Sequence, residues 1–382
     1  VPTFCRHNRF IERCPICSKT LAGSAPGEKS ATKPRRAATK GAPVRPRHPR
    51  LRAGGKEVHV QREKRAEDDG YRSGLLPGLR ASGDAEALAQ EIAFAHGRLL
   101  ALGAAPPDLY GEVRALAEED LERATWVCFL IAYLSPLDGD NPFLGIRLVL
   151  AAARDSDTYE EDVLDDLGRM PLGPRTSHDP ARGTATLLAY RHWAERAGGV
   201  AIGSHGVAPG NGGDATDGGG VATERGGVAT GNDGAVTEQG GAVRAFEGDP
   251  TWSPQRRFER GFERLALPGF GRMGRYDLLV TLGRLGLYEL RADSLHLSSA
   301  SDAHSGDLTT LAAKRVFAIG DPLLLERRAR TLADAISVPI ETLDLALANW
   351  SRPAPGERAT LGFRRETCDL HALERSREAF EL

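Results

Sequence analysis

The chain has 382 residues, 41% of them apolar, with 50 Lys and Arg against 52 Asp and Glu, for a net charge of −2. That length allows one large domain or two small ones, and the near-neutral balance excludes a protein drawn to nucleic acid by its total charge, so basic segments have to be sought locally. The longest apolar run, Trp126 to Leu134, falls far short of the ~20 residues of a membrane-spanning helix.

No secretory leader pattern is present. Five cysteines, three of them near the N-terminus, do not make a secreted disulfide framework. The expectation is a cytoplasmic protein with reduced thiols and no membrane partner.

Residues 1–18 hold a Cys/His cluster, "CRHNRFIERCPIC". Cys14 and Cys17 form the tight-turn half of a zinc knuckle, and Cys5 with His7 supplies the other half. Four such ligands suit the closed tetrahedron of a structural Zn²⁺. A segment this short has no core of its own, so the metal would supply its folding energy. Residues 19–80 follow as a linker. Between Lys29 and Arg52 there are nine Lys/Arg and no Asp or Glu. That composition cannot bury a core and reads as a basic disordered tether for polyanions.

Residues 81–197 read as the first part of a helical domain. "SGDAEALAQEIAFAHGRLLALG" has a polar start, apolar residues Leu88, Ile92 and Leu99 at helical spacing, and a Gly103 stop. "DLERATWVCFLIAYLSP" is apolar nearly all round, which predicts a buried central helix ended by Pro136. "NPFLGIRLVLAAAR", "TYEEDVLDDLG" and "RGTATLLAYRHWAERAGG" continue the helical pattern. Residues 198–243, a degenerate Gly/Ala/Val/Thr repeat, lack the large apolar residues a packed repeat needs and read as a disordered insertion.

Helices resume over 244–352: "SPQRRFERGFERLAL", "DLTTLAAKRVFAIG", "DPLLLERRARTLADAIS" and "PIETLDLALANW". Residues 353–382 read as a C-terminal tail. The fold class is all-α, one helical domain interrupted by the Gly-rich insertion.

The stretch with chemical content is "LPGFGRMGRYDLL", Leu267 to Leu279. A helix ends before Pro268, Gly269 and Gly271 allow a tight turn, and the next helix starts at about Arg272. Its first N–H groups have no intrahelical partner and make an anion site. Arg272 and Arg275 add positive charge, and Phe270 plugs the turn into the core. This is the pattern of a helix-hairpin-helix motif, which grips a DNA phosphate without reading sequence. An ordinary αα-turn is the plainer alternative. Lys314 and Arg315 are further phosphate contacts, or a solvated helix face.

The spacing Leu-Pro-Gly-apolar-Gly resembles the hairpin of the helix-hairpin-helix DNA glycosylase superfamily. The wider stretch "AFEGDPTWSPQRRFERGFERLALPGFGRMGRYDLLVTLGRLGLYEL" is similar to a distant branch of it, the alpha-glutamyl/putrescinyl thymine pyrophosphorylase family, clade 3. The segments "FCRHNRFIERCPICS" and "AAKRVFAIGDPLLLERRA" also look like that group. The resemblance implies a glycosylase-like helical fold and DNA as partner. It also implies work on a modified pyrimidine, a hypermodified thymine or a hydroxymethyl base, with the setting open among phage DNA modification, bacterial anti-phage defence and repair. A monovalent cation at the hairpin is a further expectation. Where some superfamily members carry a Schiff-base Lys, this chain has Met273, so no Lys-based lyase step is expected.

Two aspartates compete for the catalytic role. Asp293 in "YELRADSLHL" falls where the superfamily places its aspartate after the hairpin. Asp277 sits inside the most family-like stretch. The plainer readings are an exposed Asp277 that suits the helix dipole and an Asp293 that caps a helix. Neither Arg275 nor Arg284 lies three or four residues from Asp277, so a local ion pair is disfavoured. Tyr276 is expected to line the pocket for an extruded base, while Trp126, Phe129 and Tyr133 read as core. His296 reads as an assistant to Asp293 or as a structural histidine. The chemistry is base excision or displacement of a group on the base. The alternative is a DNA-binding module that kept the hairpin and lost catalysis.

Overall fold

A computed structural model describes residues 52–53, 56–57, 66–152, 170, 172–182, 184–199, 241–297, 307–352 and 354–382. The chain divides into two units, Val1–Gln61 and Arg62–Leu382. In the first, a minimal ladder pairs β1 (Arg52–Ala53) with β2 (Lys56–Glu57) in antiparallel fashion. The second unit is helical, as expected. The expected zinc ligands Cys5, His7, Cys14 and Cys17, the predicted helix over 158–168 and nearly all of the Gly-rich insertion lie outside the described residues.

The helices are α1 (Ser82–Ala104), α2 (Leu109–Glu119), α3 (Leu121–Leu134), α4 (Leu144–Ala152), α5 (Ala185–Gly199) and α6 (Ala242–Glu247). They continue with α7 (Pro254–Arg264), α8 (Arg272–Arg284), α9 (Leu308–Phe317), α10 (Pro322–Ala335), α11 (Glu341–Trp350) and α12 (Leu370–Phe380). Their limits follow local chemistry. The Asp120 carboxylate accepts from the Arg123 amide at the start of α3, and Ser253 and Asp321 do the same for the Arg256 and Leu324 amides. Pro254 and Pro322 occupy the first helical positions, where a missing N–H is harmless. The α3 helix stops at Ser135, before Pro136.

Helix α11 lies at the centre. All ten of its residues are buried, and it packs against α1, α9 and α10. In a helix buried all round most polar side chains find internal partners, here all but Thr342 among the described residues. Glu341 accepts from Arg284 and from the Ala292 amide, Asp344 accepts from Arg175 and Arg272, and Asn349 bonds Glu91 and the Ala359 backbone. Helix α3 packs between α2, α4, α6 and α8. Phe129 and Tyr133 belong to its buried face, which agrees with their reading as core.

Two segments differ from expectation. Residues 66–80 were assigned to the linker, yet Leu76 and Leu79 are buried and the Tyr71 hydroxyl donates to Phe380 O at 2.7 Å. Residues 353–382 were assigned to a tail, yet α12 packs along α1. The Asp369 carboxylate accepts from the His371 amide at the start of α12 and pairs with His96 Nδ1 of α1 at 2.7 Å. In α12 the buried residues Ala372, Ser376 and Phe380 recur at helical spacing, but two of the three are small and give little apolar signal.

Candidate functional site: a hairpin and a pinned aspartate loop

Helices α7 and α8 form the expected hairpin. Helix α8 begins at Arg272 with Gly271 as its N-cap. Gly269 has φ +80°, a left-handed conformation that side chains disfavour. A Cβ there would also meet Thr186 Oγ1 at 2.3 Å, the hydroxyl that donates to Pro268 O at 2.8 Å. The turn closes through the Phe270 amide to Leu267 O. The Phe270 ring is buried, edge-on to Phe129 of α3 at 5.1 Å. The tip is therefore seated on α3 and α5. Gly271 has ordinary φ and its Cβ position faces open space. Among the described residues, no side chain caps the first amides of α8.

Arg272 requires a correction. It was expected on the DNA side of the hairpin. Instead it is 7% exposed and turned inward. Its Nε donates to Asp307 Oδ2 at 2.7 Å, Nη2 to Asp344 Oδ1 at 2.7 Å and Nη1 to Leu295 O at 2.8 Å. A rigid guanidinium fork matches three acceptors in the interior, and none of its nitrogens is left for a phosphate. Arg275 is also drawn back: its guanidinium lies 4.3 Å from the Phe262 ring centre and donates to Phe262 O. Lys314 is half-buried and Arg315 exposed at the end of α9.

Asp277 is neither exposed nor unpaired. It is 8% exposed, and both oxygens accept from Arg175, at 2.8 Å from Nε and 3.0 Å from Nη2. Arg175 is 1% exposed and also donates to Asp344 Oδ2 at 2.5 Å. A buried chain of alternating charge results: Asp277, Arg175, Asp344, Arg272, Asp307. It ties α8 to α9, α11 and the segment before α5. Burial by itself would raise the Asp344 carboxyl, but Arg272 and Arg175 outweigh that and hold it below the usual carboxylate range. Arg175, Asp307 and Asp344 were not singled out from the sequence. The available signal was Asp344 itself, a carboxylate inside the largely apolar "LDLALANW".

Tyr276 also requires correction. It is 1% exposed, packed edge-on to Phe258, and its hydroxyl donates to Ser294 O at 3.1 Å. A ring this deeply enclosed cannot hold an extruded base. Its role is to hold the loop that carries Asp293.

That loop, residues 291–297, is fastened almost residue by residue. The Arg291 amide donates to Pro254 O and the Ala292 amide to Glu341. Asp293 O accepts from Arg330 at 2.5 Å, and Ser294 O accepts from Tyr276. The Leu295 and Leu297 amides both donate to Glu326, at 2.8 and 2.7 Å, while Leu295 O accepts from Arg272. The Asp293 side chain itself is exposed. Gly283 lets the loop fold back on α8, because a Cβ there would meet Leu290 O at 2.3 Å.

His296 sits in this loop with φ +51°. Its ring stacks on Phe262 at 4.1 Å, and Nε2 is buried without a partner among the described residues. Burial, helped by the Arg272 charge, pushes its imidazole down to about 4. The unfolded chain, with an ordinary imidazole, takes up the proton first as pH falls. Stability is therefore expected to decline between about pH 6.5 and 4, by roughly 2–3 kcal/mol. Denaturant titrations across that range check this. His296→Asn, which tolerates left-handed backbone, should flatten the decline.

With this geometry in place, the comparison with known proteins is decisive for one segment. Residues 240–356 match the family model of alpha-glutamyl/putrescinyl thymine pyrophosphorylase clade 3. The resemblance read from the sequence holds over this segment. The pyrophosphorylase match runs from α6 through α11 and so contains the hairpin, the Asp293 loop, Glu326, Asp307 and Asp344. Arg175 lies outside it. No curated protein and no solved structure matches the chain.

Proposed function

We propose that this chain is an enzyme acting on a modified pyrimidine in DNA, with the hairpin gripping a backbone phosphate and Asp293 as the reacting carboxylate. One observation carries the reading: the segment matching a thymine-hypermodification family holds both a hairpin helix whose first amides meet no capping side chain among the described residues and an exposed aspartate on a loop whose backbone is pinned by side chains. Functional groups need such pre-set supports to hold their geometry. Asp277 is assigned to the scaffold, since Arg175 occupies both of its oxygens.

Two reactions suit a carboxylate at that place. In displacement, an amine nitrogen bonds to the carbon attached to the pyrimidine ring as the bond from that carbon to pyrophosphate oxygen breaks. Pyrophosphate leaves with the bonding electron pair, and Asp293 takes the proton shed by the amine. In excision, water bonds to the sugar carbon as the bond to the base breaks. The departing base keeps the electron pair, Asp293 stabilises the positive charge on the sugar and orients the water, and the proton the water sheds ends on the released base. Both require the nucleotide to leave the stack or to be single-stranded.

The test incubates the full chain with DNA carrying 5-hydroxymethyluracil or its pyrophosphorylated form, with and without putrescine or glutamate, and analyses products by mass spectrometry. Amine-bearing thymine with released pyrophosphate establishes displacement. Free base with abasic sites establishes excision. The rival is a non-catalytic DNA-binding module. One observation favours it: Asp277, the aspartate on the hairpin helix, has both of its oxygens held by the buried Arg175. Binding that weakens steeply with salt, without product from any substrate, would select it.

The hairpin grip has its own check. Gly271→Ala is expected to leave stability within ±0.5 kcal/mol, because the added methyl meets open space. The methyl would nevertheless stand at the mouth of the α8 amides, so affinity for duplex DNA should fall about tenfold, roughly 1.4 kcal/mol. Fluorescence anisotropy with a labelled duplex reads this. Unchanged affinity would show that the hairpin is only a turn.

A further inference from the structure

The Asp293 loop is gripped from one side by a single helix. Glu326 of α10 accepts from the Leu295 and Leu297 amides at 2.8 and 2.7 Å, and Arg330, one turn further along α10, donates to Asp293 O at 2.5 Å. Two amides separated by one residue can meet one carboxylate only if the chain between them bends sharply. The bend is the left-handed His296, φ +51°. Successive N–H groups in such a conformation form a concave anion nest, and here the anion is supplied by the protein itself.

The side chains of Leu295 and Leu297 are buried and already anchor the loop to the core. What the carboxylate adds is the orientation of two peptide planes, Ser294–Leu295 and His296–Leu297. Arg330 does the same for the plane that follows Asp293. Together they set the direction in which the Asp293 side chain leaves the backbone.

We infer that Glu326 and Arg330 are positioning residues that hold Asp293 in its reacting orientation, so that α10 is part of the catalytic apparatus without touching substrate. The inference rests on the reading of Asp293 given above. Small displacements of a reacting group lower rate far more than binding, so loss of the clamp should act on kcat and leave KM nearly unchanged.

The experiment compares the full wild-type chain with Glu326→Gln, Glu326→Asp and Arg330→Met. Gln keeps one acceptor but turns a donor toward the second amide. Asp keeps the charge but is too short to span both amides. Hydrogen exchange read by mass spectrometry over residues 291–297, the Kd for duplex DNA, and kcat and KM on the modified-pyrimidine DNA converted by wild type are measured together. In Glu326→Gln and Glu326→Asp the loop amides should exchange at least about tenfold faster, and kcat should fall about 10–100-fold, as for groups that orient a functional one. KM and Kd should stay within about twofold.

Arg330→Met should lower kcat by a smaller factor in the same range. Full activity in Glu326→Asp would mean that charge, not the two-amide grip, matters, and would overturn the inference. So would faster loop exchange with unchanged kcat. A wild-type chain that binds DNA and makes no product overturns the enzyme reading instead. The clamp is then judged by exchange alone, and unchanged protection over 291–297 would overturn it.

Discussion

Arg272→Met is expected to destabilise the helical domain by about 3–5 kcal/mol, the range for removing one partner from a buried ion pair. The reason lies in what the substitution leaves behind. Asp307 is 4% exposed and Asp344 1%, and Arg272 lies between them. Without it, Asp344 retains Arg175, but among the described residues Asp307 keeps only the Thr310 hydroxyl as a side-chain partner. Leu295 O loses its donor as well. Arg272→Lys should not rescue, because one ammonium cannot reach three acceptors laid out for a planar fork. Since domains are stable by only about 5–15 kcal/mol, the loss should appear as a large drop in the urea midpoint. A change below about 1 kcal/mol would mean that the charge chain contributes no more than a surface pair.

The same chain sets an acid limit. A carboxyl held low in the folded state contributes stability that is complete above its unfolded value and is lost as pH falls through the folded one. For Asp344 that loss lies below about pH 4, on the acid side of the window assigned to His296. Two separate phases of acid destabilisation are therefore expected, and only the upper one should respond to His296→Asn.

The second large effect separates the two aspartates. Asp293→Asn should lower product formation by at least about 100-fold, the scale of a lost proton-transfer group, while stability and DNA affinity stay close to wild type. Asp293 is exposed, and an amide there disturbs nothing buried. Asp277→Asn should do the reverse. It puts an amide nitrogen against the Arg175 fork, leaving a buried guanidinium half-paired, and stability should fall by about 2–4 kcal/mol. Thermal unfolding and product assays on both variants decide the matter. An inactive Asp277→Asn that melts like wild type would move the reacting role from Asp293 to Asp277.

Much of the local structure was legible in the chain. Apolar spacing announced α1, the continuous apolar run announced α3, the segments read as helical from Ser253 and from Asp321 gave α7 and α10, and Leu-Pro-Gly-Phe-Gly announced a turn with α8 beginning at Arg272. These signals act within a turn or two of helix, so neighbouring residues suffice to read them. The same range made the family resemblance readable, because it rests on contiguous stretches from α6 through α11.

The roles of individual side chains were not legible, and the reason is distance along the chain. Arg175 and Asp277 are 102 residues apart, and Arg175 and Asp344 are 169. Beside Gly271, Arg272 and Tyr276 look like groups facing a ligand. Only the packing of α8 against the loop after it turns Arg272 inward to Leu295 O and Tyr276 to Ser294 O. Glu326 reads as one more charge on an amphipathic helix until α10 is laid beside the Leu295 and Leu297 amides. The sequence by itself determined where several of the helices begin, where the hairpin turns and which family the stretch around it resembles, because those depend on neighbours. The tertiary structure decided which charges are buried together and which aspartate stays exposed, because a charge finds its counter-ion by proximity in space.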